Sequence, residues 1–324
     1  MKLSIIIPAY NVEQYLERCI TSCRNQDMEQ SQYEMLIVDD GSGDGTYDVA
    51  CQLAERYSNV HAFTQPNQGQ SGARNNALDR AQGEYVWFVD ADDYIKPNCL
   101  NELYETAKLH DLDALYFALQ RHFEDQPAPS GDLLCRQSTL PTLEVINGVD
   151  AVVGGYYPCS ACAAIYRLEK LNKEGLRFTP KIFRQDVEFT YRSIPTLDRI
   201  MFLPEAYYFY YTHAGSVTTS NERAVVVRRM TGDGFVARTC KQLAEKYKDN
   251  KALSKTYSNH YNGVMLGALL SLWSNRKVWK KNGINSEIVE KYKELGVYPV
   301  KGPYKNLKHR LMFTILLNHK EFLA

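Results

Sequence analysis

Three carboxylates follow a short apolar run near residue 90. The run 85–89 is aromatic and β-branched, which is typical of a buried strand, and Asp90, Asp92 and Asp93 come directly after it. Carboxylates gathered at the end of a buried strand repel one another unless a positive group lies among them. Mg²⁺ and Mn²⁺ prefer oxygen ligands and commonly link one or two carboxylates to substrate phosphates. The cluster therefore predicts a divalent-cation site, with an acidic turn that caps the next helix, near Pro97, as the alternative.

The elements that must position these carboxylates are strands and helices in alternation. Predicted strands cover 3–7, 33–38, 60–64, 85–89 and 114–120, and predicted helices cover 12–24, 46–57, 71–81 and 98–110. Strands separated by helical stretches of this length imply right-handed crossovers. The sequence thus predicts an α/β fold with a doubly wound, mostly parallel sheet. Ligands bind such sheets at the carboxyl ends of the strands.

Polar residues also follow the first two predicted strands. Pro8-Ala-Tyr-Asn11 ends the first one, where Tyr10 suits a place beside a base and Asn11 suits the cap of the next helix. Asp39 and Asp40 precede a glycine-rich turn whose spacing differs from a dinucleotide fingerprint. Carboxylates there suit hydrogen bonds to a base N–H or a ribose hydroxyl.

Arg74 is predicted in the first turn of a helix, after a loop rich in glycines and amides. The helix dipole disfavours a cation at that position. An arginine placed there commonly serves a nearby phosphate or carboxylate. A salt bridge to Asp39 or Asp40 is the alternative interpretation.

Composition and charge bound the protein class. The chain has 324 residues, enough for one large domain and an appendage. Its 38 basic and 38 acidic side chains balance, so no global field points to nucleic acid. The apolar run at the start is too short for a signal peptide, and no run approaches eighteen apolar residues. A cytoplasmic enzyme is expected.

Four motifs stand in the order and spacing of family 2 glycosyltransferases. They are Ser4–Asn11, Ile37–Ser42, Asn67–Asn75 and Phe88–Asp93. The chain resembles that family over residues 1 to about 115. The resemblance implies the GT-A fold, a nucleotide-sugar donor that is usually a UDP-sugar, a divalent cation (Mn²⁺ or Mg²⁺) and inversion at the anomeric carbon.

The same resemblance assigns roles to individual side chains. It implies that Asp40 binds the base with Asp39 beside it, that Asp90 faces the ribose, and that Asp92 holds the metal. Arg74 resembles a residue near the diphosphate. The predicted substrate-binding positions are Pro8, Tyr10, Asn11, Asp39, Asp40, Gly72, Arg74, Asn75, Asp90 and Ala91.

A later segment, Phe183–Phe189, resembles the family's acidic segment, whose Asp is the usual catalytic base. Asp186 fits that role. Gln185 departs from the more usual Glu, and Glu188 is the competing carboxylate.

An aromatic strand that begins near Tyr207 ends at His213. Neutral imidazole is a common metal ligand, so His213 is predicted as a further ligand, with an ordinary surface position as the alternative.

The predicted domains are a GT-A catalytic domain over 1–220 and a helical C-terminal region over 221–324. Within the first, 1–120 forms the nucleotide-sugar half and 121–220 the acceptor half. Near the end, the basic stretch 305–310 precedes the apolar run 311–317, which is too short to span a bilayer. This tail is predicted to rest on the inner face of the cell membrane, with packing against preceding helices as the alternative.

These features predict an inverting glycosyltransferase that moves a sugar to a hydroxyl of a carbohydrate or lipid-linked acceptor, in surface polysaccharide or glycan biosynthesis. One alternative is a metal-dependent nucleotidyltransferase, which should show a glycine-rich basic loop where 8–11 stands. The other is a non-catalytic nucleotide-sugar-binding module, against which Asp186 argues.

Overall fold

The computed structural model describes residues 1–137, 139–157, 160–213, 222–279 and 282–319. The chain divides into two compact units. The first comprises Met1–Lys181 and Ser193–Ala214, and the second comprises Ile182–Arg192 and Gly215–Ala324.

The first unit contains all the described strands. They are β1 (Leu3–Ala9), β2 (Tyr33–Asp39), β3 (Val60–Thr64), β4 (Tyr85–Phe88), β5 (Tyr94–Ile95), β6 (Ala114–Phe123), β7 (Leu133–Leu134), β8 (Ala164–Arg167) and β9 (Ile200–Thr212). Its helices are α1 (Glu13–Arg24), α2 (Thr46–Arg56), α3 (Gln70–Leu78), α4 (Leu100–Leu109), α5 (Gly148–Val153) and α6 (Leu168–Lys173). The predicted alternation of strand and helix over the first 120 residues is confirmed, with ends that differ by up to three residues.

The strands form one sheet in the order β3-β2-β1-β4-β8-β6-β9-β5, with β7 added beside β6. The first four strands of that order are parallel, as predicted. The rest of the sheet is mixed, because β8 lies antiparallel between β4 and β6. The prediction of a mostly parallel sheet did not include this inserted strand, whose place between two earlier strands is a long-range pairing that local sequence patterns do not encode.

The parallel strands are apolar because both of their faces are covered. Every residue of β1, β2 and β4 is buried. The helices between them bury one face each, such as Leu16, Cys19 and Cys23 of α1. Burial of these strands fixes where their ends lie, and the ends carry the polar residues.

A buried polar network ties these strands together at their amino ends. Ser4 donates its hydroxyl hydrogen to Glu34 Oε1 (2.6 Å) and accepts a hydrogen bond from the Gly83 N–H (2.8 Å). The Gln82 N–H donates to the same Glu34 oxygen (2.8 Å). Gly83 lies so close to β1 that a Cβ there would be 2.4 Å from the Ser4 nitrogen. The start of β4 is thereby held against β1 and β2.

The second unit is helical over its described residues. It holds most of α7 (Gln185–Ser193), then α8 (Arg223–Lys246), α9 (Lys251–Ser274), α10 (Arg276–Trp279), α11 (Ile284–Glu294) and α12 (Leu307–Leu311), followed by a π-helical turn, Met312–Leu317. The helical C-terminal region is therefore present as predicted. None of the helices in the described ranges combines the length and apolar character needed to cross a bilayer. The proposed boundary of the catalytic domain near residue 220 stays a prediction.

Candidate active site

The carboxyl ends of the parallel strands bring Asp39 and Asp40 to one edge of the sheet. Asp39 ends β2, beside Ala9 of β1 and Thr64 of β3. Its carboxylate accepts a hydrogen bond from the Thr64 hydroxyl (2.9 Å) and longer contacts from the Ser42 N–H. Both aspartates are 2% exposed. They are held rigidly rather than displayed on a mobile loop.

Asp40 is oriented by two amide donors from the following loop. The Gln65 side-chain amide (2.7 Å) and the Gln68 backbone N–H (2.9 Å) both donate to Oδ1. The Asp40 N–H in turn donates to the Ala9 carbonyl. The position of this carboxylate is therefore set by β1 and by the loop before α3.

The end of β1 presents Tyr10 and Asn11 beside this edge. Pro8 is buried within the strand, whereas Tyr10 is 51% exposed. Asn11 adopts a left-handed conformation (φ 53°). Its side chain accepts a hydrogen bond from the Gly43 N–H (2.8 Å), so it bridges two loops. The expectation that Asn11 caps α1 is wrong, because Val12 occupies the N-cap position.

Arg74 lies in α3 and pairs with Asp90, the first carboxylate after β4. Its Nη2 atom is 2.5 Å from Asp90 Oδ1, and only 1% of the Arg74 residue is exposed. The Gln70 side-chain amide donates to the same oxygen (2.8 Å). The alternative partner predicted for Arg74, Asp39 or Asp40, is therefore incorrect, because α3 points the guanidinium toward the end of β4.

Two further residues of the motif around Arg74 serve the local architecture. A Cβ on Gly72 would come within 2.6 Å of the Gln68 Cβ, so glycine allows the loop to fold against α3. The Asn75 side chain donates to the Phe178 carbonyl (2.9 Å) and accepts from its N–H (2.8 Å). Asn75 thus fixes α3 to a distant segment of the same unit.

Asp92 and His213 are brought together, although 121 positions separate them. His213 Nε2 lies 3.3 Å from Asp92 Oδ2. The His213 ring packs 4.3 Å from the ring of Tyr15, measured between centroids. The Asp92 carbonyl accepts a hydrogen bond from Arg18 Nη2 (2.5 Å), whose guanidinium carbon lies 3.7 Å above the Tyr211 ring. Both members of the predicted metal pair are therefore held by neighbours.

Asp93 is the anchor of the cluster. It is 1% exposed and accepts hydrogen bonds from the Tyr208 hydroxyl and from the Tyr211 N–H (2.7 Å). Burial, reinforced by the neighbouring carboxylates Asp92 and Asp90, raises the pKa of Asp93 well above its ordinary value. Burial and Asp90 raise the pKa of Asp92 as well. Crowded carboxylates at this edge thus resist ionisation unless positive charge arrives.

The donor set fits a divalent cation that is shared with a substrate. Within the described ranges, no group of three or more His, Cys, Asp or Glu side chains is arranged to hold a metal ion alone. Asp92 and His213 offer one carboxylate and one imidazole, and Ala91 is buried between the flanking carboxylates. Mg²⁺ and related ions usually take one or two protein carboxylates and complete their shell with phosphate oxygens and water. The pair suits such a site.

Asp186 lies in the second unit, near the start of α7, and is partly buried. The competing carboxylate, Glu188, is 3% exposed and forms a two-point pair with Arg192 (2.7 and 2.9 Å). The Thr239 hydroxyl donates to Glu188 as well (3.1 Å). Glu188 is therefore built into the helical unit as a structural ion pair, which favours Asp186 as the functional carboxylate.

Sequence patterns missed the residues that support these carboxylates. Gln65 and Gln68 belong to the amide-rich loop before Arg74. The sequence did not indicate that these two residues donate to Asp40. Arg18 gave no signal, because an arginine on an amphipathic helix is ordinary. Tyr208 and Tyr211 belong to the predicted aromatic strand, but nothing in its sequence indicated that the Tyr208 hydroxyl and the Tyr211 backbone N–H hold Asp93.

The fold and this edge define a GT-A-like nucleotide-sugar transferase architecture. Residues 4–175 match the family described as Glycosyl transferase family 2. Since this match covers more than half of the chain, the protein belongs to that family. The predicted family and the predicted class of enzyme, a glycosyltransferase, are confirmed.

Two curated relatives illustrate the family's range. The chain is 29% identical over 217 residues to an uncharacterized glycosyltransferase, EpsJ, of Bacillus subtilis, covering 67% of this chain and 62% of EpsJ. It is 28% identical over 272 residues to the poly(ribitol-phosphate) beta-N-acetylglucosaminyltransferase TarS of Staphylococcus aureus, covering 81% of this chain and 44% of TarS. The matched region thus spans less than two thirds of either relative.

Solved structures support the fold. A structure of Staphylococcus aureus TarS residues 1–349 with UDP has a TM-score of 0.60 at 21% identity, over 92% of this chain and 81% of that one. A mannosyltransferase of Pyrobaculum calidifontis in complex with GDP-Man and Mn²⁺ has a TM-score of 0.53 at 16% identity, over 90% of this chain and 82% of that one. At these identities the likeness concerns the fold alone.

The anchoring of Asp93 can be tested through stability. Tyr208→Phe removes one donor from a buried carboxylate, and such a loss costs about 1–3 kcal/mol of the free energy of unfolding. Tyr10→Phe is the matched control, because its exposed hydroxyl should contribute less than about 0.5 kcal/mol. Denaturant unfolding of both variants measures the difference. Equal stability of the two would show that the Tyr208 hydroxyl does not hold Asp93.

Proposed function

We propose that the protein is an inverting glycosyltransferase that takes a sugar from a UDP-sugar and attaches it to a hydroxyl of a carbohydrate or lipid-linked acceptor in surface polysaccharide assembly. The observation that carries the proposal is the placement of Asp40 after β2 and of Asp90 and Asp92 after β4, the two strands that flank β1, with the buried Arg74 paired to Asp90. Further support comes from TarS, a relative that acts on poly(ribitol phosphate) and whose structure contains UDP.

The donor's uridine fits the Asp39–Asp40 side of this edge. The Gln65 and Gln68 donors to Asp40 both reach Oδ1, and the other carboxylate oxygen would accept an N–H of the base. Tyr10, exposed beside it, offers a ring face to the base. Asp90 would accept a hydrogen bond from a ribose hydroxyl. Arg74, which pairs with Asp90, would hold its positive charge near the diphosphate.

A divalent cation, held by Asp92 and His213 and by diphosphate oxygens, would supply Lewis-acid stabilisation of the leaving group. The Mn²⁺ complex of the structurally similar mannosyltransferase supports this choice of ion. Arg18 and Tyr15 keep the two ligands in place through the Asp92 carbonyl and the His213 ring.

Asp186 would act as the general base. The acceptor oxygen forms a bond to the anomeric carbon while the bond from that carbon to the phosphate oxygen breaks, and the electron pair leaves with UDP. Asp186 takes the proton that the acceptor hydroxyl loses. One displacement from the face opposite the leaving group inverts the configuration, and no covalent intermediate with the protein forms.

The proposal is tested with a panel of UDP-, GDP- and dTDP-sugars in the presence of Mn²⁺ or Mg²⁺, with poly(ribitol phosphate) and lipid-linked sugars as acceptors. Release of free UDP, together with sugar incorporated into the acceptor, is the expected result. Turnover of a GDP- or dTDP-sugar in place of any UDP-sugar would overturn the choice of donor. Binding of nucleotide sugars without turnover would favour the non-catalytic module, and release of pyrophosphate would favour a nucleotidyltransferase.

Asp92→Asn should remove the metal-dependent part of UDP binding. Replacing a carboxylate ligand weakens metal affinity, and we expect UDP in Mn²⁺ to bind at least about tenfold less tightly. Calorimetry with and without Mn²⁺ measures this. Asp48→Asn, an exposed carboxylate in the first turn of α2, serves as the control and should bind UDP normally. UDP affinity that is independent of Mn²⁺ in the unmodified protein would contradict the metal role.

Asp186→Asn should bind UDP normally yet transfer sugar poorly. A general base contributes about 10²- to 10⁴-fold, so kcat should fall by that factor. Glu188→Gln is the comparison. It disturbs a buried ion pair, so it should lower the free energy of unfolding but reduce kcat less than Asp186→Asn does. An active Asp186→Asn protein beside an inactive, folded Glu188→Gln protein would assign the base to Glu188.

We further infer that the C-terminal tail meets an anionic membrane surface. Phe313 and Leu317 are buried, but Leu307 (69%), Leu311 (48%) and Ile315 (62%) are exposed. The predicted alternative, in which the tail packs against preceding helices, agrees with the burial of Phe313 and Leu317 but not with the exposure of Leu311 and Ile315. Exposed cations accompany the exposed apolar residues at Lys305, Lys308 and Arg310. An apolar stripe among cations suits an anionic lipid surface.

Sedimentation with vesicles tests this contact. Three cations near anionic lipid are worth roughly 3 kcal/mol, so binding to phosphatidylglycerol vesicles should exceed binding to phosphatidylcholine vesicles by roughly 100-fold. The triple variant Leu307→Ser, Leu311→Ser, Ile315→Ser should stay in solution. The control triple, Leu109→Ser, Leu143→Ser, Val153→Ser, changes residues of similar exposure in the first unit. Equal sedimentation of both triples, or self-association abolished by the tail variant, would contradict a membrane contact.

A further inference from the structure

The segment that carries Asp186 lies along α8, and both belong to the second unit. The approach is close at Gly232, where a Cβ would come within 2.6 Å of the Phe183 carbonyl oxygen. About two turns further along α8, the Thr239 hydroxyl donates a hydrogen bond to Glu188 of α7. The segment is therefore attached to α8 on both sides of Asp186.

The attachment just before Asp186 is an ion pair. Arg184 Nε lies 2.9 Å from Asp233 Oδ1, and the Asp233 side chain is only 13% exposed. Arg184 itself adopts a left-handed conformation (φ 59°). That conformation costs a non-glycine residue about 1–2 kcal/mol, so it needs support from its surroundings.

The conformation of Arg184 determines how α7 begins. The Arg184 carbonyl accepts the hydrogen bond of the Glu188 N–H (3.0 Å), which closes the first turn of the helix. Asp186 lies inside that turn. Any rotation of the Arg184 backbone would therefore change the direction in which the Asp186 side chain leaves the helix.

Asp233 is an unusual residue for the buried side of a helix. Three charged or titratable groups face it, namely Arg184, Arg229 from its own helix and Tyr292 from α11. Burial raises the pKa of Asp233 to about 6, and the two arginines oppose that rise. A buried carboxylate is costly unless it is paired. Its pairing with Arg184 gives it a structural reason to be there.

We propose that Asp233 is a positioning residue: its carboxylate holds Arg184 and so fixes the first turn of α7, which orients Asp186 to accept the acceptor's proton. This inference rests on the proposed role of Asp186 as the base. Through this ion pair α8, which lies outside the family-matched residues 4–175, would help to position the catalytic base.

The proposal predicts a pH dependence with a definite sign. Above pH 6 Asp233 is ionised and holds Arg184, whereas below pH 6 it becomes protonated and the ion pair weakens. Activity should therefore fall with a midpoint near pH 6 as the solution is acidified. Asp233→Asn carries no titrating group at this position and should lack this step.

The test measures kcat, the KM for the UDP-sugar and hydrogen exchange of the Glu188 amide in the full chain. Asp233→Asn should lower kcat roughly 10- to 100-fold, as a small misplacement of a catalytic group does, with the donor KM unchanged. The Glu188 amide should exchange faster. Asp233→Glu should recover part of the loss, because it restores the charge.

Two further variants keep the test decisive. Arg184→Gln should reproduce the loss of kcat and, because Arg184 is 48% exposed, should fold even if Asp233→Asn does not. Asp79→Asn breaks the Arg177–Asp79 pair of the first unit (3.0 Å) and should leave kcat and its pH profile unchanged.

Unchanged kcat and unchanged Glu188 exchange in both Asp233→Asn and Arg184→Gln would overturn the proposal. Faster exchange of the Glu188 amide without loss of kcat would also overturn the proposal, since the Arg184–Asp233 ion pair would then be purely structural. Failure of the proposed function is distinguishable, because Asp186→Asn would then be as active as the unmodified protein.

Discussion

Crowding of carboxylates at one edge of the sheet is the constraint on which the site depends. Asp90, Asp92 and Asp93 lie within four consecutive positions at a buried strand end, where burial and the neighbouring carboxylates raise the pKa of Asp92 and of Asp93. Each one is balanced differently: Asp90 by the buried Arg74, Asp93 by Tyr208 and a backbone amide, and Asp92 by His213. The Asp92 side chain is 32% exposed, whereas Asp93 is buried. Asp92 is therefore open to the positive charge of a metal–diphosphate complex, which would relieve the crowding.

The parallel half of the sheet could be predicted from sequence because its information is local. Apolar runs and amphipathic stretches in alternation mark β1 to β4 and the helices between them. Carboxylates at the ends of β2 and β4 mark the edge where ligands are expected to bind. The pairing of β8 between β4 and β6 could not be predicted, because partners more than forty residues apart leave no periodic trace. The partners of individual side chains could not be predicted for the same reason. The position of Arg74 in its helix indicated that it binds a negatively charged group, but not that this group is Asp90.

The acceptor side was harder to predict from sequence than the donor side. Donor-side motifs concentrate glycines, aspartates and amides whose roles follow from backbone geometry. Asp186 stood out only through resemblance, and no sequence pattern indicated that Glu188 is bound by Arg192 and Thr239. Arg184 and Asp233 carry no sequence signal, since each is an ordinary charged residue until a left-handed backbone and a buried helix face bring them together.

The hydrogen-bonded set of Ser4, Glu34 and Gly83 lies at the other end of the strands from the carboxylates and joins the start of β4 to β1 and β2. Side chains alternate faces along a strand, so a slip of β4 by one residue against β1 would exchange the side chains that pack on the two faces of the sheet. Because the amino end of β4 is held in place, the length of β4 determines how far Asp90 and Asp92 extend beyond the sheet. The hydrogen bonds of Ser4, Glu34 and Gly83 thus provide the fixed point from which the strand length positions the carboxylates. Substitutions of Ser4 or Glu34 are therefore expected to weaken binding at the proposed donor site, although both residues lie at the opposite end of the strands.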